Sequence, residues 1–195
     1  EEIERLTDVF QETDGDIRSI LRSLFNSDHF KSAAVRFHKV KSPAELVFGA
    51  ARLTDRFDIP DMDSSLLANQ SLFMGQHLLN PPGVEGWHEG EEWVDSGSLI
   101  ERINFAADQV GNTSLPGVKI IISRLSADER AQSPEGLVEA CLDMLGTYKL
   151  PEETRKELVD HVAKGGQLQP DSQEYAGRVG QVLQLIVATQ EYQFA

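Results

Sequence analysis

Apolar residues recur along this chain at intervals of three and four, the spacing that gathers them on one side of an α-helix. Ile17, Ile20, Leu21, Leu24 and Phe25 form the first clear stripe, with Thr13, Asp14 or Asp16 placed to cap it. Ser42-Pro43-Ala44-Glu45 is a helix start: a serine N-cap, a proline in the first turn and a glutamate three residues after the serine. The helix it opens turns Leu46, Ala50 and Leu53 inward and is expected to fade near Asp58-Ile59-Pro60. Asp63-Ser64-Ser65 begins another, expected to run to about Leu79, with Leu66, Leu67, Phe73, Met74 and Leu78 in the core. Gly75 inside it costs ~1 kcal/mol against alanine, which points to close approach of another backbone.

The helical pattern resumes over 98–110 with Leu99, Ile103, Ala106 and Val110. Residues 118–125 are rich in β-branched side chains and fit either a strand or a helix. They read as a helix because no other segment offers a partner strand. Residues 134–145 carry Leu137, Val138, Cys141, Leu142 and Leu145 inward and stop at Gly146. Residues 151–163 bring in Leu158 and Val162. Asp171 is the expected cap of a last helix with Tyr175, Val179, Val182, Leu183 and Ile186 on one face. The expectation is an all-α, irregular multi-helix domain over 1–195, with about seven or eight helices and a sub-boundary near 111–117. One internal echo stands out. Residues 21–30 align with 183–192, both ending an amphipathic helix with a hydroxyl residue followed by an aromatic three positions on.

Composition narrows the classes. Eighteen basic against 32 acidic residues give a net charge of −14, which disfavours wholesale binding of nucleic acid. The charge is uneven: 18–56 carries eight basic and three acidic residues, whereas 57–101 has nine acidic and no basic ones. The two segments either neutralise each other by packing or leave a basic groove for an anionic ligand. No apolar run approaches the ~20 residues of a membrane span. Cys141 is the single cysteine, so no internal disulfide forms, and its place on an apolar stripe makes it a buried thiol rather than a nucleophile.

Residues 80–93, NPPGVEGWHEGEEW, hold both tryptophans, two prolines and three glycines. Such a loop is shaped rather than floppy and is expected to pack on the helices. Its tryptophans are either plugs that pin it there or an aromatic platform for a sugar, a cation or a peptide. The spacing favours plugs set close to Gly75, with Trp87 the deeper and Trp93 partly exposed. His88 with Glu89, Glu91 and Glu92 lacks the spacing of a defined metal site, so neither metal nor cofactor is expected. Arg102 and Asn104 follow the loop closely. Arg102 most simply bridges a carboxylate or a loop carbonyl, and Lys39 and Lys41 face solvent or pair with acidic residues. No Gly-x-Ser-x-Gly, phosphate-loop or dinucleotide pattern occurs. The candidate binding residues are therefore Trp87, His88, Trp93, Arg102 and Asn104, with no catalytic residue assigned.

Several elements occur in an order that resembles a bacterial family of unknown function, domain-of-unknown-function family 1800. They are residues 24–30 (LFNSDHF), 39–47 (KVKSPAELV), Met74-Gly75-Gln76, 81–87 (PPGVEGW), Trp93 and 102–106 (RINFA). The ending Thr189-Gln190-Glu191-Tyr192-Gln193 is similar to that family's Ser-Pro-Glu-Phe-Gln close. The sequence departs from the pattern at His88-Glu89 and at Thr189-Gln190. The resemblance implies the C-terminal part of a longer, exported protein and supplies no reaction. On this basis the chain is expected to be a non-catalytic binding or scaffold module for a partner protein or a polysaccharide. The alternatives are a wall of an active site completed by a preceding region, and a cytoplasmic location.

Overall fold

A computed structural model describes residues 1–32, 34–56, 64–146 and 149–195. The described residues are 67% helical, with ten α-helices and no strand among them. That is two or three more than the pattern predicts. The two missed are α1 (Glu2–Glu12) and α3 (Asp28–Lys31), which flank α2 (Ile17–Asn26). The expected fading near Asp58-Ile59-Pro60 and the helix start at Asp63 lie outside the described residues.

The chain divides into two compact units, Glu1–Lys39 with Ala195 and Val40–Phe194. In the first, α1 and α2 are joined through Asp14 and Gly15, both at positive φ. Asp16 caps α2, accepting from Ser19 N at 2.9 Å, which selects one of the three expected caps. Arg5 reaches from α1 to Ser23 O at 3.1 Å and to Glu2 at 2.6 Å. No described residue of this unit is buried. Lys39 and Ala195 exchange two backbone hydrogen bonds.

The second unit carries the core. Ser42 and Glu45 form the expected capping box at the start of α4 (Pro43–Leu53): Glu45 N donates to Ser42 Oγ at 3.2 Å and Ser42 N to Glu45 Oε2 at 2.8 Å. Next comes α5 (Ser64–Phe73), shorter than expected. Its stop is a backbone device: Gly75 N bonds Leu72 O and Gln76 N bonds Ser71 O, with Gly75 at φ +94. Nothing lies within 4 Å of a Cβ built on Gly75, so the expected close approach is absent; the glycine is required by its left-handed backbone. The inward face here is Leu67, Ser71 and Met74, whereas Leu66 and Phe73 are exposed, contrary to the stripe read from sequence.

Beyond α6 (Ser96–Gly111), the ambiguous segment is a helix, α7 (Pro116–Ser126), burying Val118, Ile121 and Leu125. Three more helices follow: α8 (Pro134–Leu145), α9 (Glu152–Lys164) and α10 (Gln173–Val187). Ser172, not Asp171, caps α10, accepting from Tyr175 N at 3.0 Å, while Asp171 sits at φ +66. All five residues predicted for the inner face of α10 are buried, and they meet Phe105, Ala106 and Val110 of α6 and Val138 and Cys141 of α8 in one core. Gly111 lies where α6 crosses α10: a Cβ there would collide with the Gln184 amide. The alignment of 21–30 with 183–192 is structural too. Ser27 donates to Leu24 O at 2.8 Å and Thr189 to Ile186 O at 2.8 Å, and each is followed by a short helical turn.

Candidate functional site

Asp95 opens α6 by accepting from Gly97 N and Ser98 N, which holds its carboxyl below the usual carboxylate range. The helix then carries Arg102 into the core, where it is the largest fully buried side chain. Its Nε donates to Gln193 Oε1 at 2.9 Å and its Nη2 to Lys41 O at 2.8 Å. Gln193 is held in turn by its own amide on Val187 O at 3.3 Å. Lys41 N donates to Gln193 O at 2.9 Å beside a β-bridge between Val40 and Phe194. The Lys41 Nζ donates to Tyr192 O at 2.6 Å and lies 4.1 Å from the centre of the Tyr192 ring. Lys41 is therefore half-buried and committed to a backbone carbonyl, neither solvent-facing nor paired only with acids.

Burial, reinforced by the Arg102 charge, pushes the Lys41 ammonium down to about 8, and Glu45 opposes the shift. Burial also lowers Arg102 to about 10, again opposed by Glu45. Arg102 Nη1 is buried with no hydrogen-bond partner. On the adjoining turn, Gln76 accepts from Ala44 N at 2.8 Å, so the Gly75 turn delivers a side chain to the first turn of α4. This cluster ties the segment entering α4, the middle of α6 and the last residues of the chain into one knot. Arg102 thus bonds one backbone carbonyl and one side-chain carbonyl, both distant in sequence and neither in the 80–93 loop.

The tryptophans sit in the reverse of the expected order. Trp93, in a 3-10 turn over Gly90–Val94 just before the α6 cap, is 8% exposed. Ser98 Oγ donates to its carbonyl at 2.9 Å. Trp87 is half-buried, and its indole N–H donates to His77 O at 3.0 Å. The depth of each ring follows its distance along the chain from the anchored start of α6, not its spacing from Gly75. Leu79 and Val84 stand fully in solvent. His88 is exposed, its Nδ1 2.7 Å from Glu92 Oε2. Among the described residues no group of three His, Cys, Asp or Glu is placed to hold a metal ion.

Asn104 is exposed on the opposite side of α6 from Arg102, so the two candidates do not share a site. It lines a cavity of about 340 Å³ with Arg56, Leu66, Gln70, Glu101, Asp108 and neighbouring residues. Sequence reasoning missed this cleft. The available signal was the spacing of Glu101, Asn104 and Asp108, which puts three polar side chains on one face of α6.

The architecture defines an all-helical protein built around a buried arginine knot, with a polar cleft on α6 and an open apolar face on its first unit. Residues 1–194 match the family described as Protein of unknown function (DUF1800), and the chain belongs to that family. No curated protein and no solved structure matches it.

Proposed function

We propose that the chain is a binding module of an exported protein, acting by docking rather than by a chemical step, and that the Glu1–Lys39 unit receives a partner protein. The observation that carries this is the exposure of large apolar side chains in a unit with no buried described residue. Ile17, Leu21 and Phe25, one stripe by their spacing of four, are 70%, 43% and 51% exposed, with Ile3 at 82% and Phe10 at 56% on α1. Phe30 stands edge-on to Phe25, ring centres 5.0 Å apart, and is itself 41% exposed. A unit of about 40 residues cannot build a sufficient core alone. An apolar stripe rimmed by polar residues is a protein-docking surface, and its aliphatic and phenyl composition suits a polypeptide better than a polysaccharide. No helix among the described residues is long and apolar enough to cross a membrane. Export rests on the family resemblance, and cell fractionation tests it separately.

The docking test is photo-crosslinking in the producing cell, with the probe placed at Ile17, at Phe25, or at the exposed Asp143 of the second unit. The same partner captured from both α2 positions, and not from Asp143, is the expected result. Identical products from all three positions refute the reading.

A further inference from the structure

We infer that the α5–α6 cleft is a carbohydrate subsite, and that it takes a saccharide bearing a protonated amine. The assignment is independent of the docking face on the first unit. Glu101, Asn104 and Asp108 form a row on α6 that spans roughly 10 Å at 1.5 Å per residue, and Asn112, just past the helix end, closes the row with its Oδ1 accepting from Ser114 N at 3.0 Å. Gln70 of α5 faces the same space, and Leu66, 44% exposed, adds an apolar surface beside Phe105. At about 340 Å³ the cavity falls within the range of small-molecule sites (~300–1,000 Å³).

The chemistry of the lining selects the ligand. Carboxylates and carboxamides are planar groups that take adjacent hydroxyls in pairs, the carboxylate accepting from both and the carboxamide donating to one while accepting from the other. The apolar patch suits the C–H face of a sugar ring. Gln70, Glu101, Asn104 and Asp108 make no hydrogen bond or ion pair with any described residue, so their polar atoms are available. Arg56 is engaged with Gln109 Oε1 at 3.1 Å, which also fixes that amide in the cleft floor. The guanidinium keeps its charge in that bond, so one positive charge stands against the Glu101 and Asp108 carboxylates and the lining is net negative by one. This net negative charge disfavours uronic acids and phosphorylated sugars and favours an ammonium beside one of the two carboxylates.

Isothermal titration of the full chain with the β-1,4-linked glucosamine disaccharide tests the inference, with cellobiose and a galacturonic acid disaccharide alongside. The glucosamine disaccharide is expected to bind at least tenfold tighter than cellobiose, and the acidic sugar not at all. Asp108→Asn should weaken binding tenfold or more and Asn104→Ala at least threefold. Glu135→Gln, on α8 and away from the cleft, should leave it unchanged. Each variant is first shown to melt like the parent, so a lost signal reports the cleft and not the fold. Equal affinity for cellobiose, preference for the acidic sugar, insensitivity to Asp108→Asn, or no binding by the folded parent each overturns the assignment. None of these outcomes bears on crosslinking at α2.

Discussion

Replacing Arg102 tests whether the buried knot holds the second unit together. Arg102→Ala removes two charge-assisted hydrogen bonds, to Gln193 Oε1 and to Lys41 O. Hydrogen bonds to charged groups are worth about 1.5–3 kcal/mol each. The truncation also leaves a void in a site with no solvent exposure. One term runs the other way: Nη1 is buried without a partner, so removing it relieves a desolvation cost of about 1–3 kcal/mol. The net expectation is a loss of about 3–5 kcal/mol, in line with other broken buried charge contacts. For a chain of this size that is a fall in Tm of roughly 6–20 °C. Arg102→Met keeps most of the volume and also removes the orphaned donor, so it should cost distinctly less than alanine.

Urea titration followed by far-UV circular dichroism reads these differences, with the m-value checking that the unfolded state is unchanged. Adding Gln193→Ala gives a double-mutant cycle, in which the direct Nε–Oε1 bond should appear as a coupling of about 1–3 kcal/mol. An Arg102→Ala chain within about 0.5 kcal/mol of the parent behaves as an inert surface change would and refutes the argument. So does strict additivity with Gln193→Ala.

Trp93→Ala should destabilise by about 3–5 kcal/mol as a buried plug, and Trp87→Ala by no more than about 2, since it is half-buried with one hydrogen bond; thermal melts rank the pair, and the opposite order defeats the reading. Cys141, fully buried with its thiol pushed up to about 12, should resist a thiol reagent in the native chain and react at once in denaturant. Lys41 is depressed to about 8 in the folded chain from its ordinary 10.5, so above pH 8 the unfolded state binds more protons and this group's contribution to stability rises with pH. The stability of the parent relative to Lys41→Met, measured from pH 7 to 9.5, should therefore shift in the parent's favour, and a gap that is flat or moves the other way contradicts the burial of Lys41.

What was legible in the sequence was local. The Ser42–Glu45 box, the proline-led starts of α4 and α8 and the α10 stripe each depend on residues within a turn or two of one another, so spacing specifies them. The helix α1 escaped notice because Ile3, Leu6 and Phe10 are set among acidic residues at the very start. Yet acids in a first turn favour a helix, and Arg5 pairs with Glu2 across it. The length of α5 was misjudged because helical spacing continues past Phe73, and only the positive φ of Gly75 reveals the stop. Arg102 could be read as a carbonyl binder, but its partners lie 61 and 91 positions away, and no local rule pairs residues over such distances. The same holds for the cleft: the polar row on α6 is visible in the sequence, whereas the opposing Gln70 and Leu66 are supplied by tertiary packing.

The repeated ending of α2 and α10 shows how far a local rule reaches and where it stops. Both copies place a hydroxyl at 2.8 Å from the carbonyl three residues earlier, and both send the chain into a short turn that presents an aromatic. In the C-terminal copy that aromatic, Tyr192, is 6% exposed, covered by Lys41 and adjacent to Gln193, which holds the arginine. In the N-terminal copy the equivalent Phe30 is 41% exposed and stands edge-on to Phe25, itself half in solvent. The turn chemistry is the same, so the difference lies in what covers each ring. A ring pinned by a cation and a buried amide beside it is closed to visitors. A pair of phenyl rings at the end of an apolar stripe, in a unit with no buried side chain among its described residues, keeps its hydrophobic driving force unspent, and that is the physical ground for proposing a docking surface at α2 rather than at α10.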